Sequence, residues 1–405
     1  MVLLVDAIQA ELGITDTDFS IAHSSAFAVT IGAASVPAGL LVDRGGRVLV
    51  LAIAVALWSV FTAATSLVNG FAALFACRIG VAMGQAALNP ACYALIADRF
   101  PQARLGLAFG LFGMGPHIGV GLAHLAGAGI LAILPEHGVV MPLFGLVRPW
   151  RLTLVMVAVP GFLASALLLR LERSTPNCAP PLSPARIRIV VAFFRHNLHS
   201  FGLLKLASGF AAMGVYAIAA WGATLLGRVH GLSAVEAGSV LGPIFLVSGA
   251  TGACVGGAIG DWLHRHRPDG RIIAMIVATS LALPFGASAP LQTEPVMLLT
   301  LLGGAILFAS MTIAINPAAT IAIVPIGMRG VAGALGVLIV NLIGLGCGPL
   351  GVAMMTDSRS GHSGALHIAL AVVVAGSLAA STLCAILCRG AYRRSLARAK
   401  ADSAL

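Results

Sequence analysis

Arg78 and Gln85 stand seven residues apart in the apolar run 71–97, so a helix would put both on one face. An arginine at bilayer depth costs at least about 2.5 kcal/mol on insertion scales, so such a group normally meets water, a ligand or a partner. Its guanidinium could hold a carboxylate or phosphate through paired hydrogen bonds. It could equally tie to backbone carbonyls, or snorkel to the surface about two turns away. The Gln85 amide can hydrogen-bond a ligand but cannot carry a proton. Asn89 and Pro90 follow one turn on, and the proline should bend the helix. A second pair with the same spacing, His117 and His124, lies in "GMGPHIGVGLAHL". Either imidazole could titrate near neutral pH or form a polar contact between helices. Tyr216, Trp221, Asn316 and Asn341 are further groups in apolar runs that could line a cavity. Lys205, one turn from a span end, is expected to snorkel, and Asp6 and Glu11 are expected to be solvated.

The elements that must position these groups follow from composition. The 405 residues are 59% hydrophobic and 9% charged, and the mean hydropathy is +1.00. Soluble chains carry about a quarter charged residues, and runs of roughly 18 or more apolar residues, each able to cross about 30 Å of hydrocarbon as a helix, recur here. β-Barrel spans would be short and alternating. The fold class is therefore an all-α membrane protein. Turn signals and charges place eleven complete spans near 18–41, 49–68, 71–97, 105–133, 152–170, 201–226, 237–260, 272–290, 296–325, 331–352 and 366–388. Residues 1–11 would rise only about 16 Å and lack the marks of a signal peptide. They read as the outer half of a first helix whose inner half is missing.

The net charge of +10 comes with no basic run interleaved with aromatics, so no nucleic-acid partner is expected. The seven cysteines have neither metal-site spacing nor a place for a disulfide and read as packing residues. Paired carboxylates, a Ser/His set or metal ligands at helical spacing are lacking, so no enzyme, metal or cofactor is expected.

Orientation follows the basic residues. With 42–48 inside, 18 of the 24 Lys and Arg fall on inner segments; Arg148, Arg151, Arg228 and Arg359 lie outside, and Arg78 and Lys205 within spans. The C-terminus is then cytoplasmic. The chain divides into an N-terminal half (1–170), an inner linker with an interfacial helix (171–200), a C-terminal half (201–388) and a basic tail (389–405). The linker joins "STPNCAPPLSP" to "ARIRIVVAFFRHNLHS", where arginines alternate with apolar residues as on a membrane surface. The halves echo each other: Gly39-x-x-x-Asp43 against Gly257-x-x-x-Asp261, Asn89-Pro90 against Asn316-Pro317, Arg104 against Arg329. Duplicated halves are how many transporter folds are built.

Between the first two complete spans, "GLLVDRGGRV" sets Asp43, Arg44 and Arg47 beside Gly45 and Gly46. Glycine suits a turn this tight, and Gly39 would let one helix approach another. Asp43 could face the positive N-terminus of a neighbouring helix, and Arg44 or Arg47 could reach Asp98. The cluster reads either as a latch joining the inner ends of the two halves or as a static positive-inside turn. Gly39-x-x-x-Asp43-Arg44-x-Gly46-Arg47 resembles the signature loop of the major facilitator superfamily. The stretches "ARLGLAFGLFGMG", "CRIGVAMGQAALNPACYALIADRFP", "PWRLTLVMVAVPGFLASALLL" and "AWGATLLGRVHGLSAVEAG" most resemble its bacterial spinster-like branch.

That resemblance implies two pseudo-symmetric six-helix halves that rock around a midplane site in a monomer, with lipid as solvent. It implies a small-molecule substrate, either a lipid-like amphiphile such as a lysophospholipid or a hydrophobic organic anion, and an arginine at the position of Arg78 facing the cavity. Protons are the coupling ion it suggests, and "GPHIG" resembles the Gly-Pro-x-x-Gly of superfamily antiporters. Two departures remove titratable groups: the Asp-Arg pair of the first helix is absent, and Gln85 stands where relatives usually carry Glu. Uncoupled flux is the favoured expectation, with coupling through His117 the alternative. A sensor that keeps the fold without cycling is a further reading.

Overall fold

In the computed structural model, residues 1–43, 47–99, 105–135, 138–141, 145–170, 192–325, 328–358 and 365–402 are described. Backbone amides have no water to bond in hydrocarbon, so each apolar run closes its hydrogen bonds within itself as a helix. Ten helices among the described residues are long and apolar enough to cross a bilayer, from Arg47–Leu67 to Ala365–Ala399. The span expected over 18–41 is helical across 16–43, but a π-helical turn at Ile21–Ser25 interrupts it. The run 71–97 divides into Phe71–Ala86 and Leu88–Arg99, because Pro90 has no amide to offer the carbonyl of Ala86. Its repeat partner Pro317 sits inside an unbroken helix, Pro295–Ile323. The outer loop expected over 134–151 contains a short hairpin, with Val139–Met141 paired antiparallel to Gly145–Val147.

The chain begins with a short helix, Val5–Leu12, ended by Gly13 at φ +64°, a left-handed position that suits glycine. Thr15 then opens the next helix as a reciprocal cap: its hydroxyl accepts from the Asp18 amide at 3.1 Å, and the Asp18 carboxylate accepts from the Thr15 amide at 3.0 Å.

Two compact units emerge. The first comprises Met1–Ala179, Ala220–Pro243 and Ala353–Ala365. Its helices pack through small residues, as helices must where lipid and side chains are equally apolar. Gly84 presses on Ala54 O and Trp58 N, each 2.8 Å from where a Cβ would stand, and Ser165 donates to Ala52 O at 2.8 Å. Gly238 and Gly242, one turn apart, lie against His124 O and Gly121 O of the helix Leu105–Ile133. The second unit comprises Pro180–Ala219, Ile244–Val352 and Leu366–Leu405. Gly252 and Gly256 meet the backbone of Leu307 and Met311, and a core of Leu204, Ala207, Met275, Ile315, Cys388 and Tyr392 fills the rest. Of the interfacial helix expected before it, residues 192–196 are described and helical.

Candidate functional site

In the first unit, an arginine stands at each end of a run of rings. Arg78 is half-buried on Phe71–Ala86. Its Nη2 donates to the carbonyl of His23 at 3.3 Å, and its guanidinium lies over the Phe27 ring, 5.1 Å from the centroid. The His23 ring stacks on Phe19 at 5.3 Å, and Phe19 meets the edge of Trp221 at 6.5 Å. Trp221, 1% exposed, has the Arg228 guanidinium 5.9 Å away. Both Arg78 Nε and His23 Nδ1 are buried without a hydrogen-bond partner among the described residues. No carboxylate pairs with Arg78 there either.

The sequence singled out Arg78 and Trp221 but missed His23 and Phe19. The one signal near them is the π-helical turn Ile21–Ser25 that carries His23, a local irregularity common at functional sites. Gln85 is half-buried on the Arg78 helix; Asn89 is half-buried beyond the break. His117 is 5% exposed, and its Nε2 has no partner among the described residues. His124 bonds back to Val120 O at 2.8 Å on a helix pressed by Gly238.

Arg228 corrects one expectation. Its Nη1 and Nη2 hold the two oxygens of Asp16 at 2.8 and 2.9 Å; Nε donates to Asp6 at 2.8 Å and Nη2 to Gln9 at 2.8 Å. Asp6 is therefore ion-paired rather than simply solvated. Glu11 departs further. It is 21% exposed and accepts from Arg151 at 2.8 Å, from Trp150 and, at 3.4 Å, from Arg148. In the same unit, the Thr17 amide donates to Asp357 at 2.8 Å.

The second unit holds its own buried cation. Lys205 is 4% exposed instead of snorkelling. Its Nζ donates to Asn316 Oδ1 and Thr320 Oγ1 at 2.6 Å each and lies 5.4 Å from the Phe201 ring centroid. Gly336 leaves it room, for a Cβ there would stand 3.0 Å from Nζ. Asn316 in turn donates to Leu204 O at 3.1 Å, which ties the helix around Pro317 to its neighbour. Tyr216 packs its ring on Gly344, and half-buried Asn341 opens the π-helical turn Asn341–Cys347.

Of the signature turn, Arg44, Gly46 and the side chains of Asp43 and Asp98 lie outside the described residues. Arg47 is 8% exposed. Gly39 faces Pro90, but a Cβ would stand 4.0 Å away, an ordinary contact, so closeness does not require glycine there. Asp261, the repeat partner of Asp43, accepts from Arg271 at 2.8 Å, and Arg271 also reaches Ala318 O at 3.2 Å. At this copy the ion pair is internal to one unit.

The profile of the Major Facilitator Superfamily matches residues 1–349. The chain belongs to that superfamily. This facilitator is a transporter and an integral membrane protein, as are the relatives it matches. It is 23% identical over 398 residues to an MFS-type efflux pump of Mycolicibacterium smegmatis (strain ATCC 700084 / mc(2)155), covering 97% of this chain and 89% of that protein. Over 270 residues it is 28% identical to a probable L-galactonate transporter of Escherichia coli (strain K12), 63% of this chain and 56% of the relative. A bacterial homolog to the human lysosomal transporter Spinster, inward-facing and unoccupied, superposes with a TM-score of 0.78 at 24% identity, over 98% of this chain and 93% of that one. The spinster-like resemblance of the sequence thus extends to the fold.

Proposed function

We propose that the protein carries a small organic anion across the bacterial inner membrane by alternating access, with Arg78 anchoring the anion. One observation carries the reading: a half-buried guanidinium at membrane depth, beside aromatic faces, with a buried Nε unpaired and no carboxylate to offset it among the described residues. A carboxylate-bearing ligand supplies both the charge and the paired acceptors that a guanidinium fits, and the rings of Phe27, Phe19 and Trp221 suit its apolar parts. The galactonate transporter, named for a carboxylate sugar acid, supports an organic anion over a lipid-like one. We place the C-terminus in the cytoplasm on the arginine count and keep the two six-helix halves, with Asp43, Arg44 and Asp98 as an inner latch. Gln85 leaves the Arg78 helix face without a proton seat, so flux follows the substrate's own gradient. Buried, unpartnered His117 supports the second reading, in which it carries a coupling proton.

Uptake of labelled sugar acids into proteoliposomes tests this. Wild type should equilibrate the anion and ignore an imposed pH gradient. Arg78→Gln should raise the KM about 10- to 100-fold, the share of a hydrogen-bonded charge pair, while Arg78→Lys should keep part of the affinity. Equal uptake by wild type and Arg78→Gln would overturn the anchor. Proton-driven accumulation abolished by His117→Ala would establish the second reading.

A further inference from the structure

A cavity of about 160 Å³ lies in the second unit, away from Arg78 and Lys205, between residues 196–200 and the last turns of the helix Ala365–Asp402. Its rim carries His196, His199, Arg394 and Arg398, and its lining includes no acidic side chain among the described residues. The floor is a hydroxyl network: Ser200 Oγ and Ser395 Oγ are 2.8 Å apart, and Ser395 donates to Asn197 Oδ1 at 3.0 Å. Both serines are buried, at 2% and 7% exposure.

The cations are poised for a ligand. Arg398 spends one donor on His196 Nε2, at 2.7 Å, which makes that ring an acceptor and leaves the rest of the guanidinium fork free of bonds among the described residues. Arg394 has no hydrogen bond or ion pair there. Asp269 of the same unit is paired with Arg389.

Depth and shape narrow the ligand. The helix has 38 residues, about 57 Å of length against a hydrocarbon core of about 30 Å. Its last turns therefore stand at headgroup level, where basic pockets beside spanning helices take lipid phosphates. Leu198, between the lining residues Asn197 and His199 in sequence, is 61% exposed. The volume is smaller than the roughly 300 Å³ or more of drug-sized ligand pockets, so a headgroup-sized anion fits better than a whole substrate. We propose that this cavity binds a phosphate group, with Arg394 and Arg398 taking its oxygens and the serine floor fixing its depth. The two sources of that chemistry are an anionic phospholipid and a free phosphate. The site does not depend on the Arg78 reading.

The test uses the full chain in phosphatidylcholine nanodiscs, with and without phosphatidylglycerol, read by native mass spectrometry and by thermal midpoint. Wild type should retain one phosphatidylglycerol more than the Arg394→Gln/Arg398→Gln variant, with an affinity about 30-fold higher for the two charges together. Ser395→Asp, which sets a like charge on the floor, should abolish the same event. If inorganic phosphate raises the midpoint of wild type in pure phosphatidylcholine and leaves the double variant unmoved, the source is free phosphate. Equal phosphatidylglycerol retention by wild type and both variants, with no response to phosphate, would overturn the proposal.

Discussion

Replacing Arg228 by Gln removes the centre of the ion cluster in the first unit, and the structure sets the size of the effect. Arg228 makes two kinds of contact. Asp6 is 56% exposed, and an ion pair in water contributes about 0–1 kcal/mol. Asp16 is 6% exposed and held by both guanidinium nitrogens. Stranding a buried carboxylate costs about 3–5 kcal/mol. Gln9 Nε2 still donates to Asp16 Oδ1 at 2.8 Å, and Arg228 itself is 29% exposed, so the lower part of that range applies. Together the loss should be about 3–5 kcal/mol. Denaturant unfolding in detergent would measure it, as a double-mutant cycle with Asp16→Asn. The neutral amide removes the stranded charge, so the double variant should lose less than the sum of the single variants, with a coupling of about 2 kcal/mol. A loss under about 1 kcal/mol for Arg228→Gln, or strict additivity, would refute the reasoning. The partners lie 212 residues apart in the sequence, so the same variant should also loosen the helix 16–20 in hydrogen exchange.

Lys205→Met should cost no more than about 2 kcal/mol, because the oxygens it releases on Asn316 and Thr320 belong to neutral groups; a thermal midpoint that falls as far as in Arg228→Gln would contradict this. At Asp269, burial pushes the carboxyl pKa up, but the Arg389 hydrogen bond and charge outweigh it and hold the pKa below the ordinary range. The pair then stabilises the fold above about pH 4, and that contribution is lost as the pH falls through the folded-state pKa. Asp269→Asn should flatten the acid limb of the stability profile, and an unchanged limb would count against the pair. Cysteines introduced singly at Pro180 and Ser360 of a cysteine-free chain should report sidedness in intact cells. An impermeant reagent should label 360 and spare 180, and the reverse would invert the assignment of the termini.

Where sequence reasoning succeeded, the determining physics was local or additive. Apolar runs state their own length, so most spans were legible to within a few residues, but the last helix runs past the expected 388 to Asp402 because its polar final turns carry no apolar signal. Pro90 states its own missing amide, and the helix breaks at Ala87. The glycine and arginine spacing around Asp43 carries a superfamily signature that the profile match over residues 1–349 bears out. Arg78 stood out for a reason of the same local kind, because a charge in hydrocarbon is costly whatever surrounds it, and its role as an anchor is the proposal made above.

What failed was the prediction of partners. Asp6 and Glu11 read as solvated because nothing near them in sequence is basic; Arg228 lies 222 residues from the first and Arg151 lies 140 from the second. Lys205 fails for a related reason with two parts. Its helix begins earlier than the turn signals suggest, through the π-helical turn Leu198–Gly202, which moves the ammonium deeper. Depth alone would then be prohibitive, except that Asn316, Thr320 and Gly336 supply oxygens and space from two other helices. None of the three announces that role, since an amide, a hydroxyl and a missing side chain are each common in membrane helices. The contrast with Arg78 is the useful one. Lys205 has oxygens arranged around it and is explained by its surroundings, whereas Arg78 has one long bond to a carbonyl and a ring face. Of the two cations, the one whose surroundings leave its charge less satisfied is the one that the proposed function gives to a passing anion.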